Sequence, residues 1–212
     1  METQVVTQHW AVAYARETGA RAVYARGNID LLDARPMVAI VGARAATAYG
    51  THVAAEIASA AVSAGLQVVT DGAYGIGAAA TQAVLAAGGR PLVWAAGGVD
   101  RAYPAGHVEL FGRVLEAGGL LLSLQPDCEV PTRARFAERA HAIGTLADAT
   151  VVVEAGARSG ALEVARVAIE AGRRVASVPG PITSAASLGS NRLLSDPRVA
   201  MLGESAEVAS LV

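Results

Sequence analysis

The sequence predicts an α/β protein built as a single domain, a parallel sheet with helices on both faces. Three observations carry that reading. Apolar runs recur along the chain, most of them followed by a glycine turn and then by an alanine-rich stretch of helical length. The runs are continuously apolar rather than alternating, as strands are when both of their faces are covered. Of the 212 residues, 53% are apolar and 17% charged, which suffices for one large core.

The clearest unit begins at Val38-Ala39-Ile40-Val41, a strand that runs into Gly42, where a side chain would obstruct a tight turn. Thr47 is placed to cap a helix over residues 48–64 and Gly65 to end it. Backbone N–H groups at the start of that helix, with Arg44 beside them, make the turn Gly42-Ala43-Arg44 a place for an anion. Upstream, Val5, Val6, Trp10, Val12, Ala13 and Tyr14 suggest a helical lead-in over residues 1–21. The main domain then covers 22–212, opening with a short strand over 22–27 at one edge of the sheet.

The pattern repeats downstream. Strands are expected over 67–71, 91–96, 120–124, 149–154 and 174–178, with helices over 78–87, 108–117, 133–146 and 161–171. Strands alternating with helices at this spacing require right-handed crossovers and a parallel sheet. In such sheets ligands bind beyond the carboxyl ends of the strands, where strand order reverses. The turns after Val41, Asp71, Ala96 and Glu154 all belong to that rim, so they converge on one cleft.

That rim holds Arg44, Arg101, Arg139 and Arg158, with Tyr74 and Tyr103 as nearby aromatics. Gly42, Gly72, Gly75, Gly97, Gly98, Ser159 and Gly160 supply its turns. A ligand rich in phosphates and bases would use them together, with guanidinium groups and helix starts for phosphate and rings for stacking. All 17 basic residues are arginine, which binds phosphate through a planar fork where lysine offers a point charge. A net charge of −2 argues against a surface coated in positive potential, so any basic site is local.

Several chemistries are excluded. The first turn lacks the G-x-G-x-x-G dinucleotide spacing, and a chain without lysine has no phosphate-loop lysine. His52, His107 and His141 share no metal-ligand spacing, and no serine sits in a G-x-S-x-G elbow. No metal or cofactor is therefore expected. Cys128 is the single cysteine, which fits a cytoplasmic setting, and it lies in a loop without a histidine to activate it. No apolar run reaches the length of a membrane span.

The motifs, taken in order, resemble one family. They are Val38-Ala-Ile-Val-Gly-Ala-Arg44 with Thr47, Tyr49 and Gly50, then Gly97-Gly-Val-Asp-Arg-Ala-Tyr-Pro104 with Glu109-Leu-Phe111, then Val152-Val-Glu-Ala-Gly-Ala-Arg-Ser-Gly-Ala-Leu162, Val178-Pro-Gly180 and Gly189-Ser-Asn-Arg-Leu-Leu194. From about Ala22 to Leu202 the chain is similar to the DNA-processing protein A (DprA/Smf) family. The resemblance implies an extended Rossmann-like domain that binds single-stranded DNA, works as a homodimer in DNA recombination, hands the strand to a RecA-type recombinase and catalyses no reaction. By position, Arg44 would contact DNA phosphate, Ser159 and Gly160 would form the family's Ser-Gly helix start, and Asn191 its Gly-x-Asn turn. The chain departs from the pattern at Tyr74, Gly77, Thr81, Leu124, Ala140 and His141, which makes the pocket less polar and less positive. It reads as a core-only version, with neither a helical-repeat domain before it nor a winged helix after it.

A second resemblance, from a different class, is to nucleoside-monophosphate phosphoribohydrolases of the lonely-guy (lysine decarboxylase-like) group, in which an arginine and a glutamate act at the ribosyl bond. Arg139 and Glu163 would be those residues. The Pro-Gly-Gly-x-Gly-Thr signature is absent, and Val164 stands where the glutamate belongs. One residue of slip turns a side chain by about 100° around a helix. A small-nucleotide-binding protein is a third reading.

Overall fold

The computed structural model describes residues 2–7, 22–34 and 36–212. Among them, nine strands form one sheet: β1 (Gln4–Val5), β2 (Tyr24–Gly27), β3 (Met37–Val41), β4 (Gln67–Thr70), β5 (Leu92–Trp94), β6 (Leu120–Ser123), β7 (Ala149–Val152), β8 (Arg174–Ser177) and β9 (Val199–Met201). Their order is β1-β2-β6-β5-β4-β3-β7-β8-β9. From β6 to β9 every pairing is parallel, while β1 and β2 are antiparallel additions. Among the described residues six α-helices lie between the strands: α1 (Ala48–Ser63), α2 (Ile76–Ala86), α3 (Val108–Glu116), α4 (Arg133–Leu146), α5 (Ala161–Glu170) and α6 (Leu188–Leu193).

The β3 side chains show how the layers form. All five of its residues are buried and successive side chains point to opposite faces. Met37, Ala39 and Val41 join the core beneath α4 and α5, whereas Val38 and Ile40 join the core beneath α1 and α2. On α1 the buried positions Gly50, Ala54, Ile57, Ala58 and Ala61 follow the helical repeat, giving one apolar stripe of mostly small side chains on the sheet. Fully burying a side chain the size of Ile40 or Ile57 contributes about 1.5–3 kcal/mol.

Strand order reverses at β3, which has β4 on one side and β7 on the other. The chain steps outward from β3 to β6, then returns through α4 to β7. Right-handed crossovers running in opposite directions put their helices on opposite faces, so a crevice opens between the carboxyl ends of β3 and β7.

Several local expectations change. Gln4–Val5 is a strand paired with β2, not the start of a helix, and residues 8–21 of the expected helical lead-in lie outside the described residues. The strand near residue 25 is internal, flanked by β1 and β6. Helix α2 begins at Ile76, which places Gly77 inside it. Residues 188–193, read as a turn, form the short helix α6. No described helix is long and apolar enough to cross a membrane.

Candidate functional site

The crevice at the reversal point is a cleft of about 700 Å³. Its walls are residues 41–45 after β3, Asp71 after β4, Phe136, Arg139 and Ala140 of α4, residues 156–161 at the start of α5, Val164, and residues 185, 186 and 188. Gly42, Ala43, Arg44, Arg139, Arg158, Ser159 and Gly160 therefore share one site.

Arg44 and Arg139 meet around Phe136. The Arg44 guanidinium carbon lies 4.4 Å from the Phe136 ring centroid, and that of Arg139 lies 5.2 Å from it. Stacking on an exposed ring adds about 0.5–1 kcal/mol and, more usefully, fixes where a guanidinium points. Arg44 is exposed, but Arg139 is nearly buried, donating to the Asp71 backbone carbonyl at 2.9 Å and to its carboxylate at 3.0 Å. Burial pulls the Arg139 pKa below the ordinary guanidinium value, Asp71 opposes that shift, and the like charge of Arg44 adds to it. A second hollow of about 60 Å³ adjoins the cleft, walled by Arg44, Tyr74, Tyr103, Phe136 and Arg139. Tyr74 and Tyr103 are 49% and 45% exposed, so their rings are open to a flat ligand. Tyr74 stands edge-on to His107 with centroids 4.5 Å apart, and Tyr103 packs on Phe136 at 5.9 Å. Phe136 is a site residue that sequence reasoning missed, because one phenylalanine on a helix reads as core.

Part of each helix start around the cleft is engaged by the protein itself. Thr47 caps α1 as expected, its hydroxyl accepting from Gly50 N at 3.1 Å. Thr47 in turn donates its backbone N–H and its hydroxyl to the two carboxylate oxygens of Glu154, each at 2.8 Å. At α2, Ile76 N donates to the Ala43 carbonyl and Ala73 N to the Asp71 carboxylate. At α5, Ser159 Oγ accepts from Ala161 N at 3.3 Å, and Leu162 N and Glu163 N donate to the carbonyls of Ser159 and Gly160.

Seven expected site residues line neither the cleft nor the hollow beside it. Gly72 is buried, and a Cβ there would meet Val93 and Phe111. Gly97 and Gly98 are buried under the loop that carries Glu129, Gly98 N donating to the Glu129 carbonyl at 2.9 Å. Arg101 is exposed in the loop that carries Tyr103 and is not among the cleft-lining residues. Asn191 clasps Gly180, accepting from its N–H at 3.0 Å and donating to its carbonyl at 2.9 Å. Gly75 supports the first turn from behind, while Thr47 acts through Glu154. Replacing Asn191 by Ala should lower stability by about 1–2 kcal/mol, or roughly 2–8 °C in Tm, through lost hydrogen bonds. Ligand affinity should stay unchanged, and thermal melting beside a binding isotherm checks both halves.

The phosphoribohydrolase constellation is not assembled. Val164 lines the cleft, whereas Glu163 is half exposed and ion-paired with Arg166. Hydrogen bonding from Arg166 holds the Glu163 carboxyl below the usual carboxylate range. Its charge is committed to the outer face of α5.

The fold and cleft define a doubly wound α/β protein with an arginine- and aromatic-lined site at its switch point. Residues 12–210 match the family described as DNA recombination-mediator protein A, and the chain belongs to that family. It is 46% identical over 173 residues to the putative DNA processing protein DprA of Mycobacterium tuberculosis, a match covering 81% of this chain and 44% of that protein. The chain thus spans less than half the length of that relative. The DNA processing protein A of Streptococcus pneumoniae superposes with a TM-score of 0.88 at 27% identity, covering 99% of this chain and 73% of that one. That of Helicobacter pylori, described for its single-stranded DNA binding mode, superposes with a TM-score of 0.85 over 99% of this chain and 95% of its own. At 22% identity it supports the fold alone.

Proposed function

We propose that the chain binds single-stranded DNA, gripping the sugar-phosphate backbone in the switch-point cleft and catalysing no reaction on it. The observation that carries this reading is the cluster of Arg44, Arg139 and Phe136, with open Tyr74 and Tyr103 rings beside it, in a chain that belongs to the DNA recombination-mediator family. Arg44 and Arg158 face the cleft as phosphate-binding cations, and the rings offer stacking surfaces that suit any base. Arg139 is engaged by Asp71, so it shapes the wall more than it adds free charge. Affinity should be tolerant of sequence and sensitive to salt.

Fluorescence anisotropy of a labelled oligothymidylate across a salt series tests this. Two backbone contacts on a single strand give a slope of about −1.4 in log affinity against log salt. No binding at low salt, or binding unaffected by salt, would overturn the reading. A homodimer and hand-over of the strand to a RecA-type recombinase in the cytoplasm complete the proposal on family grounds, and light scattering of the purified chain checks the first.

A further inference from the structure

Open α/β sheets commonly hold a ligand phosphate at the start of the helix that follows the first parallel strand. Here that place is taken. The Glu154 side chain enters it from the end of β7, 2% exposed, with one carboxylate oxygen bonded to Thr47 N and the other to the Thr47 hydroxyl. Gly50 leaves the space the carboxylate needs, since a Cβ on it would lie 2.5 Å from Glu154 Oε2. The Glu154 backbone carbonyl also accepts from Ala43 N at 2.6 Å, so one residue fixes both ends of the turn that carries Arg44.

We infer that Glu154 is a specificity-determining residue: its carboxylate fills the anion position at the start of α1, turning away phosphate monoesters and leaving the cleft to phosphodiesters. The inference rests on the reading of the cleft as a backbone-binding site. A monoester carries close to two negative charges at neutral pH and a diester one. A buried carboxylate, little screened by water, therefore opposes the monoester about twice as strongly as the diester. A mononucleotide, inorganic phosphate or a 5′-phosphate end is disfavoured, while internal phosphates of a strand reach the cleft arginines without entering the filled position.

The test is calorimetry of the wild-type chain and Glu154→Gln with inorganic phosphate and with thymidine monophosphate, beside anisotropy with a 5′-hydroxyl oligothymidylate. Glutamine keeps the shape and an acceptor for Thr47 but drops the charge. The wild type should take up neither small anion at millimolar concentration, and Glu154→Gln should bind them at least tenfold more tightly while its oligonucleotide affinity rises by no more than about the square root of that gain. A folded Glu154→Gln chain with no gain would overturn the inference. So would submillimolar phosphate binding by the wild type, a result that decides the matter even if the variant does not fold. If neither protein binds the oligonucleotide but the variant still gains phosphate, the backbone reading falls and the role of Glu154 stands.

Discussion

Replacing Arg44 by Ala should weaken oligonucleotide binding by about 10- to 150-fold, the loss of a charge-assisted contact of about 1.5–3 kcal/mol. Two features make Arg44 the position of largest effect. Its guanidinium is exposed to the cleft, and among the described residues no salt bridge engages it as Asp71 engages Arg139. It also stacks on Phe136, which limits the freedom lost when a phosphate arrives. The salt slope should fall by about 0.7, one single-strand contact. Arg44→Lys should recover the slope but only part of the affinity, because an ammonium restores charge without the planar fork or the ring contact. Stability should move by no more than about 1 kcal/mol, since the side chain is at the surface. Anisotropy with matched thermal melts separates these effects, and an Arg44→Ala chain that binds like the wild type would remove Arg44 from the interface.

The same turn shows which parts of the site can be read from sequence. Val38-Ala39-Ile40-Val41, Gly42 and the Thr47 cap were legible because each signal is local: an apolar run, a turn glycine, and a hydroxyl three residues before the N–H it accepts from. The strand-helix alternation likewise placed a cleft at the carboxyl ends of the strands, although it gathered the turn after Ala96 into that cleft with those after Val41, Asp71 and Glu154, and Gly97 and Gly98 do not line it. Glu154 was not legible as the anion at the start of α1, because it is 107 residues from Thr47 in the chain and its closing strand looks the same whether that side chain turns in or out. Gly97 and Gly98 misled for a related reason. A glycine that lets a phosphate approach and one that lets Glu129 and its loop approach leave the same trace in the sequence. Phe136 became a site residue only once the fold brought α4 beside the turns after β3 and β4.

The turn's dependence on what lies behind it gives the largest expected effect on stability. Gly75 has φ +73° and ψ −123°, a conformation that suits glycine, and a Cβ there would lie against the Ala43 carbonyl oxygen and 2.5 Å from that of Arg44. Gly75→Ala adds backbone strain of about 1–3 kcal/mol to an overpacking cost of about 1–3 kcal/mol. Because Ile76 N also donates to the Ala43 carbonyl, relief by movement pushes the turn that carries Arg44. Gly65 supplies the control: it has φ +75°, but a Cβ there meets nothing within 4 Å. Gly65→Ala should therefore show the conformational term alone, about 1 kcal/mol and roughly 2–4 °C in Tm, with oligonucleotide binding intact. Gly75→Ala should lower Tm by roughly 4–24 °C, using the same conversion, and weaken binding measured well below its melting temperature. Equal losses of Tm in the two variants would mean that the backbone contact between the second and first turns does not hold Arg44 in place.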